Sequence, residues 1–186
     1  TKYNVLFIAD EIQTGLGRTG ELLCCNHYSV RPDIICLGKA LSGGIYPVSA
    51  VLADDDIMLC IQPGQHGSTY GGNPLGSKIA ITALQVIIDE KLCENSKRLG
   101  KIFGDGLRKL PREKIVQVRG KGLFCAVVID ESMGVTAWDV CLKLKAKGLL
   151  AKPTHGNIIR FAPPLIITES QINESLEIIK GVFESI

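Results

Sequence analysis

Two short apolar runs that end on opposite charges constrain this chain most. Val5-Leu6-Phe7-Ile8-Ala9 stops at Asp10-Glu11, and Ile34-Ile35-Cys36-Leu37 stops at Gly38-Lys39. Neither run alternates, and both break off abruptly at polar residues, as strands covered on both faces do in a largely parallel sheet. In open parallel sheets ligands bind at the carboxyl edge. Asp10 and Lys39 are therefore delivered to one candidate site. A lysine amine near its reference pKa of about 10.4 is a poor nucleophile, so carbonyl chemistry asks for it to be desolvated or covalently committed. The end of a buried strand supplies such a setting. Spacing alone leaves open a plainer reading, a solvated lysine and an ordinary strand-end aspartate.

The rest of the first half extends this layer. A third strand is predicted over Pro47–Ala53, followed by a glycine-rich loop from Pro63 to Gly72. Asn73 is then a good helix N-cap, with Pro74 at the first helical position, where its missing N–H costs nothing. Leu75, Ile79, Ala83, Val86 and Ile87 share one face of that helix. Lys91 to Leu110 reads as a second amphipathic helix with Leu92, Leu99, Phe103, Leu107 and Leu110 as its stripe, despite Gly100, Gly104 and Gly106.

Beyond it the pattern changes to α+β: a strand at Ile115–Val118, a turn at Arg119–Gly122 and a strand at Leu123–Ile129. A helix at Ala137–Lys147 stopped by Gly148 follows, with strands near Leu149–Lys152 and Ile158–Ala162. A last helix opens on the Thr168/Gln171 capping box and buries Ile172, Leu176, Ile179 and Phe183. The reading divides the chain into an α/β domain over residues 1–91 and a smaller α+β domain over residues 92–186. No internal repeat or low-complexity tract interrupts it.

Charge and composition exclude several functions. The 21 Lys+Arg against 19 Asp+Glu leave no large unbalanced field, and no basic block with interleaved aromatics marks a nucleic-acid surface. The longest apolar stretches fall far short of the roughly 20 residues that cross a bilayer, so no membrane partner is expected. The opening Thr1-Lys2-Tyr3-Asn4 carries no signal-like segment, so targeting information, if any, is expected upstream. The seven cysteines include no C-x-x-C pair, and several lie in apolar runs as core thiols of a protein kept reduced. His27, His66 and His155 lack ligand spacing, so no metal is expected. Gly15-Leu16-Gly17-Arg18-Thr19-Gly20 has the form G-x-G-x-x-G, but Asp10 to Thr14 separate it from the strand and the next strand ends in a lysine where a ribose-binding acid would stand. A dinucleotide site is the weaker reading of it.

In pyridoxal-phosphate enzymes a lysine holds the cofactor as an imine, and a carboxylate pairs with the protonated ring nitrogen so that the ring can draw in electrons. Asp10 beside such a cation stays ionised because its counter-charge offsets desolvation. The wider sequence strengthens that chemistry. Leu6 to Gly15, then Pro32-Asp33-Ile34-Ile35-Cys36-Leu37-Gly38-Lys39-Ala40-Leu41-Ser42-Gly43-Gly44, then His66 to Leu75 and Arg160-Phe161-Ala162-Pro163-Pro164-Leu165, resemble the ornithine-type aminotransferases of pyridoxal-phosphate fold type I, class III. The resemblance runs the whole length of the chain and corresponds to the C-terminal half of a family subunit.

That resemblance implies the C-terminal part of a cofactor-binding large domain, a mostly parallel sheet with helices, plus a small α+β domain. Lys39 matches the imine lysine and proton shuttle, Asp10 the ring-nitrogen partner, and Gln13 a donor to the cofactor's phenolic oxygen. Ser68 and Thr69 match a loop that binds the phosphate of a neighbouring subunit's cofactor, which implies a homodimer or higher homo-oligomer. Arg160 matches the arginine that binds a substrate carboxylate as a planar fork. Arg18, Arg119 and Lys121 match family positions without an evident chemical role. Gly38 to Pro47 and Leu150 to Gly156 resemble enzymes acting on ornithine more than those acting on acetylornithine or 4-aminobutyrate. The implied reaction moves the δ-amino group of ornithine to 2-oxoglutarate, joining arginine and ornithine metabolism to proline and glutamate, in the mitochondrial matrix or alternatively the cytoplasm. The family's main phosphate loop, its ring-stacking aromatic residue and the glutamate partner of Arg160 have no match here, so the fragment alone is expected to be inactive. A non-catalytic truncated product is the alternative from another class.

Overall fold

β1 (Ile8–Asp10) and β2 (Ile34–Leu37) pair in parallel, with Ile8, Ala9 and Asp10 opposite Ile34, Ile35 and Cys36. β3 (Ala50–Ala53) closes the other side of β2 antiparallel, Leu37 facing Ala50 and Ile34 facing Ala53. The computed structural model describes residues 3–186; Thr1 and Lys2, at the start of the 1–91 segment, lie outside them. The chain forms two units, one comprising the residues up to Gly17 with Glu21–Lys91, the other Arg18–Gly20 with Leu92–Ile186. The α/β class is thus present, although only one of the two strand pairings in the first sheet is parallel.

The outer strands of that sheet are shorter than their apolar runs suggest, and the cause is β2. Pro32 has no N–H to offer a ladder, and the pairing begins where the Asp33 and Ile34 N–H groups donate to the Phe7 carbonyl at 2.9 and 3.2 Å. The Phe7 N–H donates instead to the Asp33 side chain at 2.7 Å. Val5 to Phe7 consequently stay outside the strand and exposed, and β3 starts three residues after Pro47 because it can pair only as far as Leu37.

A one-turn helix α1 (Asp55–Met58) follows β3, and then the exposed glycine-rich loop leads into α2 (Pro74–Asp89). Asn73 caps α2 by accepting from the Gly76 N–H at 2.8 Å, with Pro74 at the first position. α2 packs on the 3-10 turn Lys39–Ser42. Its contact side is small: Gly76 is buried, Ala83 stands 3.4 Å from where a Cβ on Gly43 would lie, and Ile87 closes the row. Leu75 and Val86, expected on the buried face, are exposed at 60% and 41%. Close approach through glycine and alanine selects a different stripe from the one the large apolar residues suggest.

In the second unit α3 (Leu92–Leu107), α4 (Ala137–Ala146) and α5 (Glu169–Glu184) lie on one face of an antiparallel sheet ordered β4 (Ile115–Lys121), β5 (Phe124–Ile129), β7 (Ile158–Phe161), β6 (Lys152–Thr154). Leu99, Phe103 and Leu107 from α3 meet Leu123 from the β4–β5 turn, Val127, Ile129 and Ile159 from the sheet and Ile172, Ile179 and Phe183 from α5, all essentially inaccessible. Each such side chain contributes roughly 1.5–3 kcal/mol by leaving water. Phe103 and Phe161 meet edge to face with centroids 5.7 Å apart. Thr168 and Gln171 close the capping box that opens α5.

Two boundaries in this unit differ from the sequence reading. β4 runs through Arg119 to Lys121, so the turn is only Gly122–Leu123. β6 starts at Lys152, not Leu149, because the Leu149 N–H is spent on the Leu144 carbonyl at the end of α4, after Gly148 turns the chain with φ +88°.

Candidate active site

Parallel register places the ends of β1 and β2 side by side. Asp10 lies opposite Cys36, and Lys39 follows three residues later at the same carboxyl edge. Strands in a sheet run about 4.8 Å apart, so an acid and an amine stand along the same rim. Gly38 between β2 and Lys39 is buried and fully extended, and a Cβ there would come within 3.3 Å of the Ile12 side chain. Lys39 itself takes φ +41°, a left-handed conformation that costs a non-glycine residue roughly 1–2 kcal/mol. The 3-10 turn holds it there: the Leu41 N–H donates to the Gly38 carbonyl at 3.0 Å, and the Gly43 N–H to the Ala40 carbonyl at 3.0 Å. The turn thus keeps a left-handed backbone at the lysine of this strand edge.

The desolvated setting expected for this lysine is not supplied by the chain's own residues. β2 is only half-buried, and Asp10 and Lys39 are both exposed. The reason is the one-sided cover of the first sheet: Val5, Leu6, Phe7 and Ile8 all face solvent, with no element of their unit laid over them among the described residues.

Asp10 is fixed by a tight turn, its Oδ1 accepting from the Ile12 N–H at 3.1 Å. Glu11 beside it is a residue the sequence reading passed over. It is 4% exposed and accepts from the Thr14 hydroxyl at 2.6 Å and the Cys25 N–H at 2.8 Å. Burial pushes its carboxyl upward, but the hydrogen bonds from Thr14 and from the Cys25 and Cys24 backbone outweigh that and hold it below the ordinary value. Glu11 thus ties the turn carrying half-buried Gln13 to the 3-10 helix at Cys24–Tyr28. The signal was present as a carboxylate three residues before a threonine at a strand end.

A hollow of about 1000 Å³ opens beside the lysine, lined by Lys39, Ser42, Tyr46, Ser49, Tyr70 and Asn73 among others. Tyr46 and Tyr70 were not singled out in the sequence; Tyr46 follows the Gly43–Gly44 pair by two residues and Tyr70 directly precedes Gly71–Gly72. Asp10, Gln13, Ser68 and Thr69 do not line it. Ser68 and Thr69 stand on the exposed loop, where Ser68 Oγ accepts from the Gly71 N–H at 3.0 Å. Within the first unit, then, the structure brings Asp10 and Lys39 to one edge and leaves Ser68 and Thr69 outside the hollow that Tyr70 and Gly71 of their loop help to line.

Arg160 belongs to the second unit. It is half-buried on β7, on the sheet face opposite the helices, and has no carboxylate partner among the described residues. Arg18, in the same unit, donates from Nη1 to the Leu123 carbonyl at 3.0 Å and the Pro163 carbonyl at 2.5 Å, fastening the chain just past β7; burial lowers its pKa. The glycine pattern from Gly15 to Gly20 opens no α-helix: the residues after it form turns and the 3-10 helix at Cys24. A dinucleotide site lacks its helix N-terminus.

Residues 1–183 match the family model described as aminotransferase class-III. The mitochondrial ornithine aminotransferase of Rattus norvegicus is 64% identical over 96% of this chain, which covers 41% of that relative. The solved ornithine delta-aminotransferase of Plasmodium falciparum superposes with a TM-score of 0.94 at 54% identity, over 99% of this chain and 48% of that one. The solved acetylornithine aminotransferase of Elizabethkingia anophelis gives 0.92 at 55% identity, over 100% of this chain and 47% of the other. The chain therefore spans about two fifths to one half of the length of the relatives it matches.

Proposed function

The chain belongs to the class-III aminotransferases, and on that premise we propose that the whole protein is a pyridoxal-phosphate-dependent ornithine aminotransferase, moving the δ-amino group of ornithine to 2-oxoglutarate. The observation that carries the reading is the register that sets Asp10 and strained Lys39 at one carboxyl edge. These residues fit the cofactor: an exposed amine opening on a hollow, and a carboxylate held in a turn at the same sheet edge. When bound, pyridoxal phosphate supplies an electron sink for the substrate's amino-bearing carbon. Lys39 would hold the cofactor through Nζ and, once freed by substrate, would carry the proton of a 1,3-transfer, taking it from the substrate's amino-bearing carbon and delivering it to the cofactor side. Asp10 would pair with the ring nitrogen and keep it protonated, and Gln13 would donate to the phenolic oxygen. Arg160 receives a substrate carboxylate through its paired N–H groups.

Ser68 and Thr69 would serve the phosphate site of a second subunit, which suits their exposed positions outside the hollow. The whole protein is accordingly a homo-oligomer, and the mitochondrial relatives from rat, fly and nematode support a matrix location. A second substrate, N-acetylornithine, is favoured by the 55% identity to the Elizabethkingia enzyme. Borohydride reduction of the cofactor-loaded whole protein should leave a pyridoxyl group on the peptide containing Lys39, and Lys39→Ala should abolish turnover. Recovery of the label on another lysine would overturn the assignment. Rates with ornithine against N-acetylornithine separate the two substrates.

A further inference from the structure

One row across the second unit's sheet carries three cations. Arg119 on β4 faces Ala126 on β5, Ala126 faces Arg160 on β7, and Arg160 faces Lys152 on β6. Residues directly opposite in a ladder share a sheet face, so all four project on the side away from the helices. The neighbours that alternate with them, Cys125, Val127, Ile159 and Phe161, fill the core side. Like charges directly opposite each other destabilise a strand pair, yet Lys152 and Arg160 stand in that relation, Arg119 lies one small alanine away from Arg160, and no carboxylate occupies the row. None of the three cations has an ion-pair partner among the described residues. Such a row is a standing demand for an anion.

We propose that Lys152 is a substrate-discriminating residue: the positive field that it adds beside Arg160 favours the dianionic oxo acid over the cationic amino donor as each enters in its turn. The inference rests on the reading of Arg160 as the carboxylate-binding arginine. Lys152 needs no direct contact, since a unit charge acts over about 8 Å at physiological salt. Ornithine carries a net charge of about +1 and 2-oxoglutarate about −2 at neutral pH, so one lysine acts on the two substrates with opposite sign. With charges roughly 8 Å apart and partial solvent screening, removing it changes the dianion's association about three- to tenfold.

The plain alternative is a lysine that only guards an exposed edge, a common use of lysine on strands such as β6. Lys152→Gln and Lys152→Arg in the whole cofactor-loaded enzyme distinguish the two. The expected result for Lys152→Gln is a three- to tenfold fall in kcat/KM for 2-oxoglutarate, a flatter dependence of that constant on salt, and no fall for ornithine; Lys152→Arg restores the wild-type values. Equal losses for both substrates, or an unchanged constant and salt dependence for 2-oxoglutarate, would overturn the proposal. Arg160→Gln is measured alongside. If it binds 2-oxoglutarate as well as wild type, the reading of Arg160 falls and the inference falls with it. If it loses saturation by 2-oxoglutarate while Lys152→Gln behaves as wild type, only the inference falls.

Discussion

Gly100→Ala should destabilise the second unit even though it places a better helix former inside α3. In an open helix the exchange gains about 1 kcal/mol. Here a Cβ on Gly100 would lie 2.2 Å from the carbonyl carbon and oxygen of Gly122, about 1.2 Å inside an ordinary contact of 3.4 Å. The obstacle is backbone, and it cannot simply retreat. Gly122 has φ +55°, and its own open side lies against the Thr19–Gly20 backbone, where a Cβ would meet atoms at 2.4–2.7 Å. Gly20 in turn packs on the Cα of Lys97 in α3, 3.0 Å from an added Cβ. Buried Ser96 stitches the same junction, donating to the Arg18 carbonyl at 3.0 Å and accepting from the Leu123 N–H at 3.1 Å.

Relieving the clash therefore means separating helix, hairpin turn and the Arg18–Gly20 segment together, an overpacking penalty at or above the top of the usual range of about 1–3 kcal/mol. Net of the helix gain, a loss of about 2 kcal/mol remains, which lowers the melting midpoint of a unit this size by roughly 8–16 °C. Gly104→Ala is the matched control, because its Cβ would meet only the guanidinium tip of Arg108, at 3.4 Å. That variant should gain most of the helix term and melt higher. Scanning calorimetry of both variants decides the matter, and a Gly100→Ala midpoint equal to or above that of Gly104→Ala refutes the backbone-contact argument.

Two further expectations concern ionisation. Because the folded Glu11 carboxyl is held below its ordinary value of 4.5, its bonds to Thr14 and Cys25 stabilise the fold in full above about that pH and are lost as the pH falls through the lower folded value. Glu11→Gln should flatten this acid limb in unfolding measured against pH, and an unchanged limb would remove Glu11 as its source. Burial pushes the Cys125 thiol up to about 11, whereas Cys60 is exposed in the turn after α1. Iodoacetamide at pH 8 should alkylate Cys60 first and leave Cys125 protected until unfolding, with peptide mapping as the readout.

How far the sequence could be read follows from where each signal resides. The caps at Asn73 and Thr168 and the stripe of α3 are local, a few residues wide, and each reappears in the structure with its hydrogen bonds or its burial. The α/β class followed from two unalternating runs. Strand lengths did not follow, because a strand is only as long as its partner: β1 and β3 are both cut to the reach of four-residue β2. The buried side of α2 was misread for a related reason. Large apolar residues advertise burial, yet this helix meets its neighbour through Gly76, Ala83 and Ile87, where the fit depends on what is absent from the side chain.

The site divides along the same line. Asp10 and Lys39 were legible because a parallel pairing needs only two strands and one register to bring their ends together. Glu11, Tyr46 and Tyr70 were not, since their roles depend on a turn folding back and on glycines opening a hollow. The row joining Arg119, Arg160 and Lys152 was the least accessible of all. Those residues are separated along the chain, and only the antiparallel registers of three ladders, none written in any single segment, set them side by side. Charge counted over the chain as a whole is nearly balanced; it is the pairing of strands that turns an unremarkable total into a local field with a sign.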